Sequence, residues 1–257
     1  MGNLFSLKGK VALITGSSSG IGKAIATQMG MQGAAVIITS NDEVACVETC
    51  NELLQNNIQA ISIVCEITDK PSVTNLVEDA IKQFGKIDIL VCNAGVANEF
   101  GSILKTTDEE WEKIMNINLR SAFWLTQLLA PQMAERKDGV IIFMSSIAGV
   151  RGNKGLGLYG TSKAALAQLA RNLAVELGPY NIRVNSISPG VIETAFAKPL
   201  LENKAVIERR ISLTPLRRVG TVDEVAGVAV MLASKAGAFI TGQNIIVDGG
   251  TVISDGN

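Results

Sequence analysis

The chain has 257 residues, 23 Lys+Arg against 24 Asp+Glu, no His, and 47% hydrophobic residues. That size and apolar content supply a full core, and a net charge of −1 offers no basic surface for nucleic acid. Without His there is no Ser–His–Asp triad, no Cys–His dyad and no imidazole metal ligand, and a resident metal is not expected.

The first residues, Met1-Gly2-Asn3-Leu4-Phe5-Ser6, fit an N-terminal acylation pattern. No polybasic second signal follows, and Leu4, Phe5 and Leu7 are expected to pack the lead-in to the first strand. No apolar run is long enough to span a bilayer and no signal peptide is evident, so a soluble cytoplasmic protein is expected.

Short apolar runs then alternate with longer amphipathic segments. Strands are predicted at 11–14, 35–39, 61–65, 87–92, 140–144, 182–187 and 244–247. Helices are predicted from about residue 21, and over 42–56, 71–84, 108–135, 159–178 and 222–234. Nearly continuous apolar strands alternating with helices imply an α/β, Rossmann-like, doubly wound parallel sheet of about seven strands, covered on both faces. No linker or repeat divides the chain, so 1–257 reads as a single domain. The stretch 190–220 breaks the rhythm; it is apolar, poorly periodic and carries Pro199 and Pro215. It reads as a substrate-binding lid, a small packing unit, or both.

The four cysteines, Cys46, Cys50, Cys65 and Cys92, form no C-x-x-C pair and read as reduced thiols in or near the core. Cys46 and Cys50 are one helical turn apart. Trp111 and Trp124 are expected as core or interface anchors, and Tyr180 as a packing or surface residue.

The loop Thr15-Gly16-Ser17-Ser18-Ser19-Gly20-Ile21-Gly22 follows the first strand and opens a helix. Glycines there let the backbone turn tightly and approach a pyrophosphate lying on the N–H groups of the helix start. No G-K-[ST] follows, which disfavours a P-loop nucleotide hydrolase. The residue ending the second strand of a dinucleotide fold reads the adenosine ribose. Ser40 stands where an acid would select NAD, and Asn41 where an Arg would select NADP. The missing acid favours NADP(H) over NAD(H). Asp42 falls slightly late and reads equally as the cap of the next helix.

Tyr159 and Lys163 stand at i and i+4 at a helix start, on one face. A cation there favours the phenolate and lowers the Tyr pKa, suiting the phenol to trade a proton with a carbonyl or alcohol. Ser145-Ser146 follows the strand 140–144, Asn93-Ala94-Gly95 follows the strand 87–92, and Asn118 lies inside the long helix.

TGSSSGIG, NAG, the Asn of NINL, the SS pair, YGTSK, SPG and the late VDGG occur in one order across essentially the whole chain. Together they resemble the short-chain dehydrogenase/reductase family, and the Y-x-x-x-K spacing looks like its classical branch. The resemblance implies a catalytic set of Asn118, Ser146, Tyr159 and Lys163. Tyr159 would be the general acid/base. Lys163 would bind the nicotinamide ribose and lower the Tyr pKa. Ser146 would hold the substrate oxygen, and Asn118 would anchor a water relaying protons from Lys163. It also implies that Gly16, Ser18, Ser19, Gly20, Ile21 and Gly22 hold the dinucleotide phosphates. Ser40 and Asn41 would meet the ribose, Glu66 and Ile67 the adenine. Asn93, Ala94 and Gly95 would line the cofactor, and Pro189, Gly190, Ile192 and Thr194 would set the nicotinamide face.

Two departures stand out. Cys92 replaces the Asn that usually opens NNAG, and Glu66 sits where the family commonly has Asp, leaving Asp69 as a cap candidate before Pro71. The expected function is an NAD(P)(H)-dependent oxidoreductase interconverting a ketone and a secondary alcohol. Val191, Phe196, Leu200, Leu201 and Ile207, with Val96, Val150 and Leu156, suggest an apolar substrate pocket. The alternatives are a cofactor-binding sensor or scaffold without turnover, and a dehydratase or epimerase on the same fold. The resemblance further implies a homotetramer.

Overall fold

The computed structural model describes residues 2–254. Seven parallel strands form one sheet: β1 Val11–Thr15, β2 Ala35–Thr39, β3 Ala60–Ser62, β4 Ile89–Cys92, β5 Gly139–Met144, β6 Ile182–Pro189 and β7 Asn244–Val247. Their order is β3-β2-β1-β4-β5-β6-β7. The chain winds one way from β1 to β3 and the other way from β4, so the crevice above β1 and β4 is the topological switch point where such sheets bind ligands.

The strands are apolar along their length because both faces are covered. Ala12 and Ile14 join one core with α1 (Gly20–Met31), α2 (Glu43–Gln55) and α9 (Val222–Ala233). Val11 and Leu13 join the other core with α3 (Lys70–Phe84), α5 (Ser121–Arg136) and α6 (Gly157–Leu177). Asp42 and Asp69 cap α2 and α3, accepting from Ala45 N and Ser72 N. All four cysteines are free and buried, Cys46 and Cys50 on the same face of α2.

Several expected boundaries move. The strand over 61–65 is shorter, Ala60–Ser62, because it lies at the sheet edge; Ile63 and Cys65 still donate singly to Ile38 and Ser40. The strand over 87–92 starts at Ile89; Asp88 before it still donates to Val11 O and accepts from Val140 N, and its carboxylate also accepts from Val11 N at 2.9 Å. Asp88 is 2% exposed and sits between Lys86 and Arg136 at the amino end of the sheet.

The helix expected over 108–135 is not uniform. α4 (Asp108–Met115) and α5 are joined by a π-helical turn, Asn116–Arg120, which contains Asn118. Such turns insert one extra residue and re-aim the side chains around them. The 190–220 stretch is likewise not structureless. A 3₁₀ turn Ala195–Ala197, α7 (Lys198–Leu201) and α8 (Lys204–Ser212) fill it, and Ile192 bridges Gly220 at its base.

Leu7 packs the lead-in as expected, at 1% exposed, but Leu4 and Phe5 are 59% and 45% exposed. A turn folded on the Asn3 carbonyl and side chain holds them outside the core. Trp124 packs partly buried against a core, whereas Trp111 and Tyr180 are largely exposed. Among the described residues, no helix is long and apolar enough to cross a membrane.

Candidate active site

The loop after β1 is fixed from beneath. Ser17 Oγ donates to Ile14 O at 2.6 Å and accepts from Thr39 N at 2.9 Å, tying the ends of β1 and β2. Asn93 Nδ2 donates to Thr15 O and Gly16 O, and Thr15 Oγ1 accepts from Asn93 N and Ala94 N. The loops after β1 and β4 thus form one rigid floor.

Gly16 has φ +62°, a left-handed conformation that disfavours a side chain. A Cβ on Gly22 would lie 2.2 Å from Gly16 O, so the loop curls tightly over the start of α1. Ser19 caps α1 without a side-chain hydrogen bond, and no acid occupies the first turn. The first N–H groups of α1 are therefore left for an anion. The Cβ position of Gly20 lies 3.6 Å from Thr194 Cγ2, so the segment after β6 reaches across to the loop. Gly190 is equally close-packed, since its Cβ would meet Asp248 Cα at 2.8 Å. These features fit a dinucleotide: the pyrophosphate would lie against Gly16, Ser18, Ser19, Gly20, Ile21 and Gly22, with Pro189, Gly190, Ile192 and Thr194 facing it.

At the end of β2, Ser40 Oγ accepts from Asp42 N at 3.1 Å and lies 3.1 Å from Cys46 Sγ. Exposed Asn41 reaches Glu66 Oε2 at 3.5 Å. Glu66 accepts from Thr68 N and Thr68 Oγ1, and these bonds hold its pKa below the usual carboxylate value. Ile67 packs inward against the core. An acid absent from position 40 is therefore present nearby, carried by Glu66.

Asn118, Ser146, Tyr159 and Lys163 come together beside this floor. The π turn aims Asn118 inward, where it is 1% exposed. Its amide donates to Val96 O and Ser162 Oγ, both at 2.9 Å, and its Oδ1 accepts from Val96 N at 2.8 Å. Ser162 passes the link on to Tyr159 O at 2.8 Å. Lys163 is 4% exposed, and its Nζ donates to Met144 O at 2.8 Å. A Cβ on Gly95 would stand 3.0 Å from Lys163 Nζ and 3.3 Å from Asn118 Oδ1, so both polar ends crowd the same face of that glycine.

The electrostatics correct one expectation. Lys163 Nζ lies 5.7 Å from the centre of the Tyr159 ring and bonds Met144, not the phenol. Burial therefore pushes the Tyr159 pKa up, with a hydrogen bond from Ser146 pulling the other way. Burial also pulls Lys163 down to about 8. It raises Cys92, against the pull of Lys163.

Several residues that hold the site were not singled out in the sequence. Asn98 Oδ1 accepts from Tyr159 N at 3.1 Å, at the start of α6. Ser145, expected only as a strand end, donates from Oγ to Lys163 O at 2.7 Å. Ser162 and Met144 O hold Asn118 and Lys163. A polar residue beside a recognised motif was the only signal for these. Phe196, from the 190–220 segment, lies 6.2 Å from the Tyr159 ring centre, tilted by 39°.

This fold and cluster define an α/β protein with a doubly wound parallel sheet and a Tyr–Lys pair, Lys163 buried and Tyr159 half-buried. The family profile described as Enoyl-(Acyl carrier protein) reductase matches residues 16–252. The chain is 38% identical over 244 residues to Dehydrogenase/reductase SDR family member 4 of Oryctolagus cuniculus, covering 95% of this chain and 94% of that one. It superposes with TM-score 0.92 and 36% identity on a 7α-hydroxysteroid dehydrogenase complexed with NADH and 7-oxo glycochenodeoxycholic acid, covering 97% and 98% of the two chains. It superposes with TM-score 0.94 and 30% identity on a gluconate 5-dehydrogenase from Burkholderia cenocepacia in complex with NADP and tartrate, covering 98% of each chain. The chain belongs to the short-chain dehydrogenase/reductase family of oxidoreductases.

Proposed function

We propose that the chain interconverts a ketone and a secondary alcohol with NAD(P)(H). The observation that carries this is the convergence of Tyr159, Ser146, Lys163 and Asn118 on the loop floor that fits a dinucleotide. The bound nicotinamide supplies the hydride. The protein orients the carbonyl and manages the proton. Ser146 holds the substrate oxygen, and Tyr159 donates its phenolic proton to that oxygen in reduction and removes it in oxidation. Lys163 grips the nicotinamide ribose and returns a proton to Tyr159. Asn118 Oδ1 and Lys163 Nζ crowd the same face of Gly95, which supports a proton relay there. Phe196 over Tyr159 supports an apolar substrate seated beneath the 190–220 segment.

Either cofactor is compatible with the geometry. The absent acid at position 40 favours NADP(H), and the Glu66 carboxylate on Asn41 works against a 2′-phosphate. A modest NADP(H) preference is the reading we adopt. A homotetramer in the cytoplasm is also proposed. Trp111, Met115, Leu119, Phe123 and Leu169, together with Glu112 and Arg120, line an open groove on α4–α6 that a second copy would cover.

The test is oxidation of NADPH and NADH against cyclic, aliphatic and aryl ketones. Ketone-dependent loss of absorbance with either cofactor supports the reading. Tight cofactor binding with no turnover across the panel favours the sensor. Substrate conversion with no net change in cofactor favours the dehydratase or epimerase.

A further inference from the structure

The first turn of α6 carries Tyr159 and supports itself weakly. Gly157 and Gly160 lie in it, and glycine is a poor helix former. Both are closely packed: a Cβ on Gly160 would stand 2.5 Å from Ala148 O, and one on Gly157 3.1 Å from Ile103 Cβ. Leu156, at the cap position, makes no side-chain hydrogen bond, and no acid lies in the first turn. The first N–H groups of a helix have no partner within it, and here Tyr159 N is one of them.

The missing cap comes from another loop. Asn98 Oδ1 accepts from Tyr159 N at 3.1 Å, while Tyr159 O accepts from Ser162 Oγ at 2.8 Å. Asn98 is half-buried and itself fixed: its Nδ2 donates to Glu99 O at 2.7 Å and reaches Gly155 O at 3.5 Å. Gly101 N donates to Gly155 O at 3.0 Å, and Gly101 bridges Leu156. The loop that holds Asn98 is thus bolted to the residues leading into α6. Asn153 Oδ1 tightens that lead-in by accepting from Gly155 N and Leu156 N.

The same loop reaches the rest of the site. Asn93 fixes the loop after β1, and Val96 bonds Asn118 through both its N–H and its carbonyl. The segment 93–98 therefore touches the dinucleotide floor, Asn118 and Tyr159 in turn.

We infer that Asn98 is a positioning residue for the reaction: by capping α6 at Tyr159 N, it sets where the phenol stands relative to the substrate oxygen. This rests on the reading of Tyr159 as the acid/base. Asn98 acts through the Tyr159 backbone, and the dependence on geometry is steep, since a displacement of ~1 Å can cost about 10²-fold in rate.

The test is steady-state turnover of whichever ketone of the panel above reacts fastest, with cofactor Kd measured alongside. Asn98→Ala should lower kcat per folded molecule about tenfold or more, with cofactor Kd unchanged to within about twofold. In a Tyr159→Phe background the same change should alter kcat by less than about twofold, because no phenol remains to be placed. Asn98→Asp keeps an acceptor for Tyr159 N and puts an acid at a helix start, where negative charge is favourable. It should fold and hold kcat within about threefold of the parent, which keeps the test alive if Asn98→Ala folds poorly. An Asn98→Ala kcat close to the parent's would overturn the inference. So would equal losses on the two backgrounds, which mark a merely structural role, or an Asn98→Asp variant that folds but loses about tenfold or more. The two claims fail differently. Tyr159→Phe with near-parental kcat, or no turnover of any ketone, removes the acid/base reading and the inference with it. A full Tyr159→Phe loss beside equal Asn98→Ala losses on both backgrounds removes the inference alone.

Discussion

Replacing Lys163 by Met should stabilise the cofactor-free protein while abolishing its activity. Lys163 is 4% exposed and has a carbonyl, Met144 O, as its hydrogen-bond partner. Burial lowers its pKa from 10.5 to about 8. The folded value lies below the unfolded one, so between those pH values the unfolded chain holds a proton that the folded chain lacks. Stability therefore rises with pH across that window, and below about pH 8 the buried charge is a constant penalty of ~3 kcal/mol. Met keeps the apolar stem and removes the charge, but it leaves Met144 O without its donor, at ~1–2 kcal/mol. A net gain of ~1–2 kcal/mol at pH 7 follows. The sharper quantity is the pH dependence of the difference: the parent should gain ~2 kcal/mol on the variant between pH 7 and pH 10, closing or reversing the gap. Other titrating groups are common to both proteins and largely cancel. Urea unfolding followed by Trp fluorescence over that range measures it. A difference independent of pH would refute the account of Lys163 as a buried ammonium. Ketone-dependent turnover of the same variant should be nearly lost and its cofactor Kd raised, so stability and function move in opposite directions.

Three further outcomes are expected. Tyr159→Phe should lower kcat by roughly 10²–10⁴-fold with little change in cofactor Kd; near-parental kcat in steady-state assays would remove Tyr159 as the acid/base. Asn41→Arg should shift kcat/KM towards NADPH over NADH by about tenfold. The shift should be larger together with Glu66→Gln, because Glu66 would otherwise pair with the new guanidinium. Asp88→Ala strands Val11 N, Lys86 and Arg136 at the foot of the sheet and should cost ~3–4 kcal/mol by chemical denaturation. Activity per folded molecule should persist, since Asp88 lies at the end of the sheet opposite the site.

The strand–helix alternation was legible because a parallel sheet covered on both faces forces apolar strands, and that pattern survives in composition alone. The phosphate loop was legible for a similar reason. Gly16 and Gly22 occupy backbone positions that a side chain would strain or block, so their spacing is written directly into the chain. Asp42 and Asp69 were readable as caps because capping is local, satisfied within three residues. The strand over 61–65 was overextended because pairing depends on partners, and 63–65 has a neighbour on one side only.

The site itself was split between the two levels. Residue types and spacing sufficed to nominate Tyr159, Lys163, Ser146 and Asn118. They did not reveal that Asn118 reaches Ser162 and Val96 through a π turn, or that Asn98 and Ser145 hold α6 by its backbone. Those are contacts between residues far apart in the chain. They also did not foresee the direction of the Tyr159 shift. Proximity to Lys163 in sequence suggested a lowered pKa, but the cation points at Met144 O, and desolvation, a property of the packed interior, outweighs the opposing hydrogen bond from Ser146. The sequence by itself determined which side chains are present and which backbone turns they permit. Only the tertiary structure decided which of those charges lose water and which find partners, because both depend on what the fold brings alongside them.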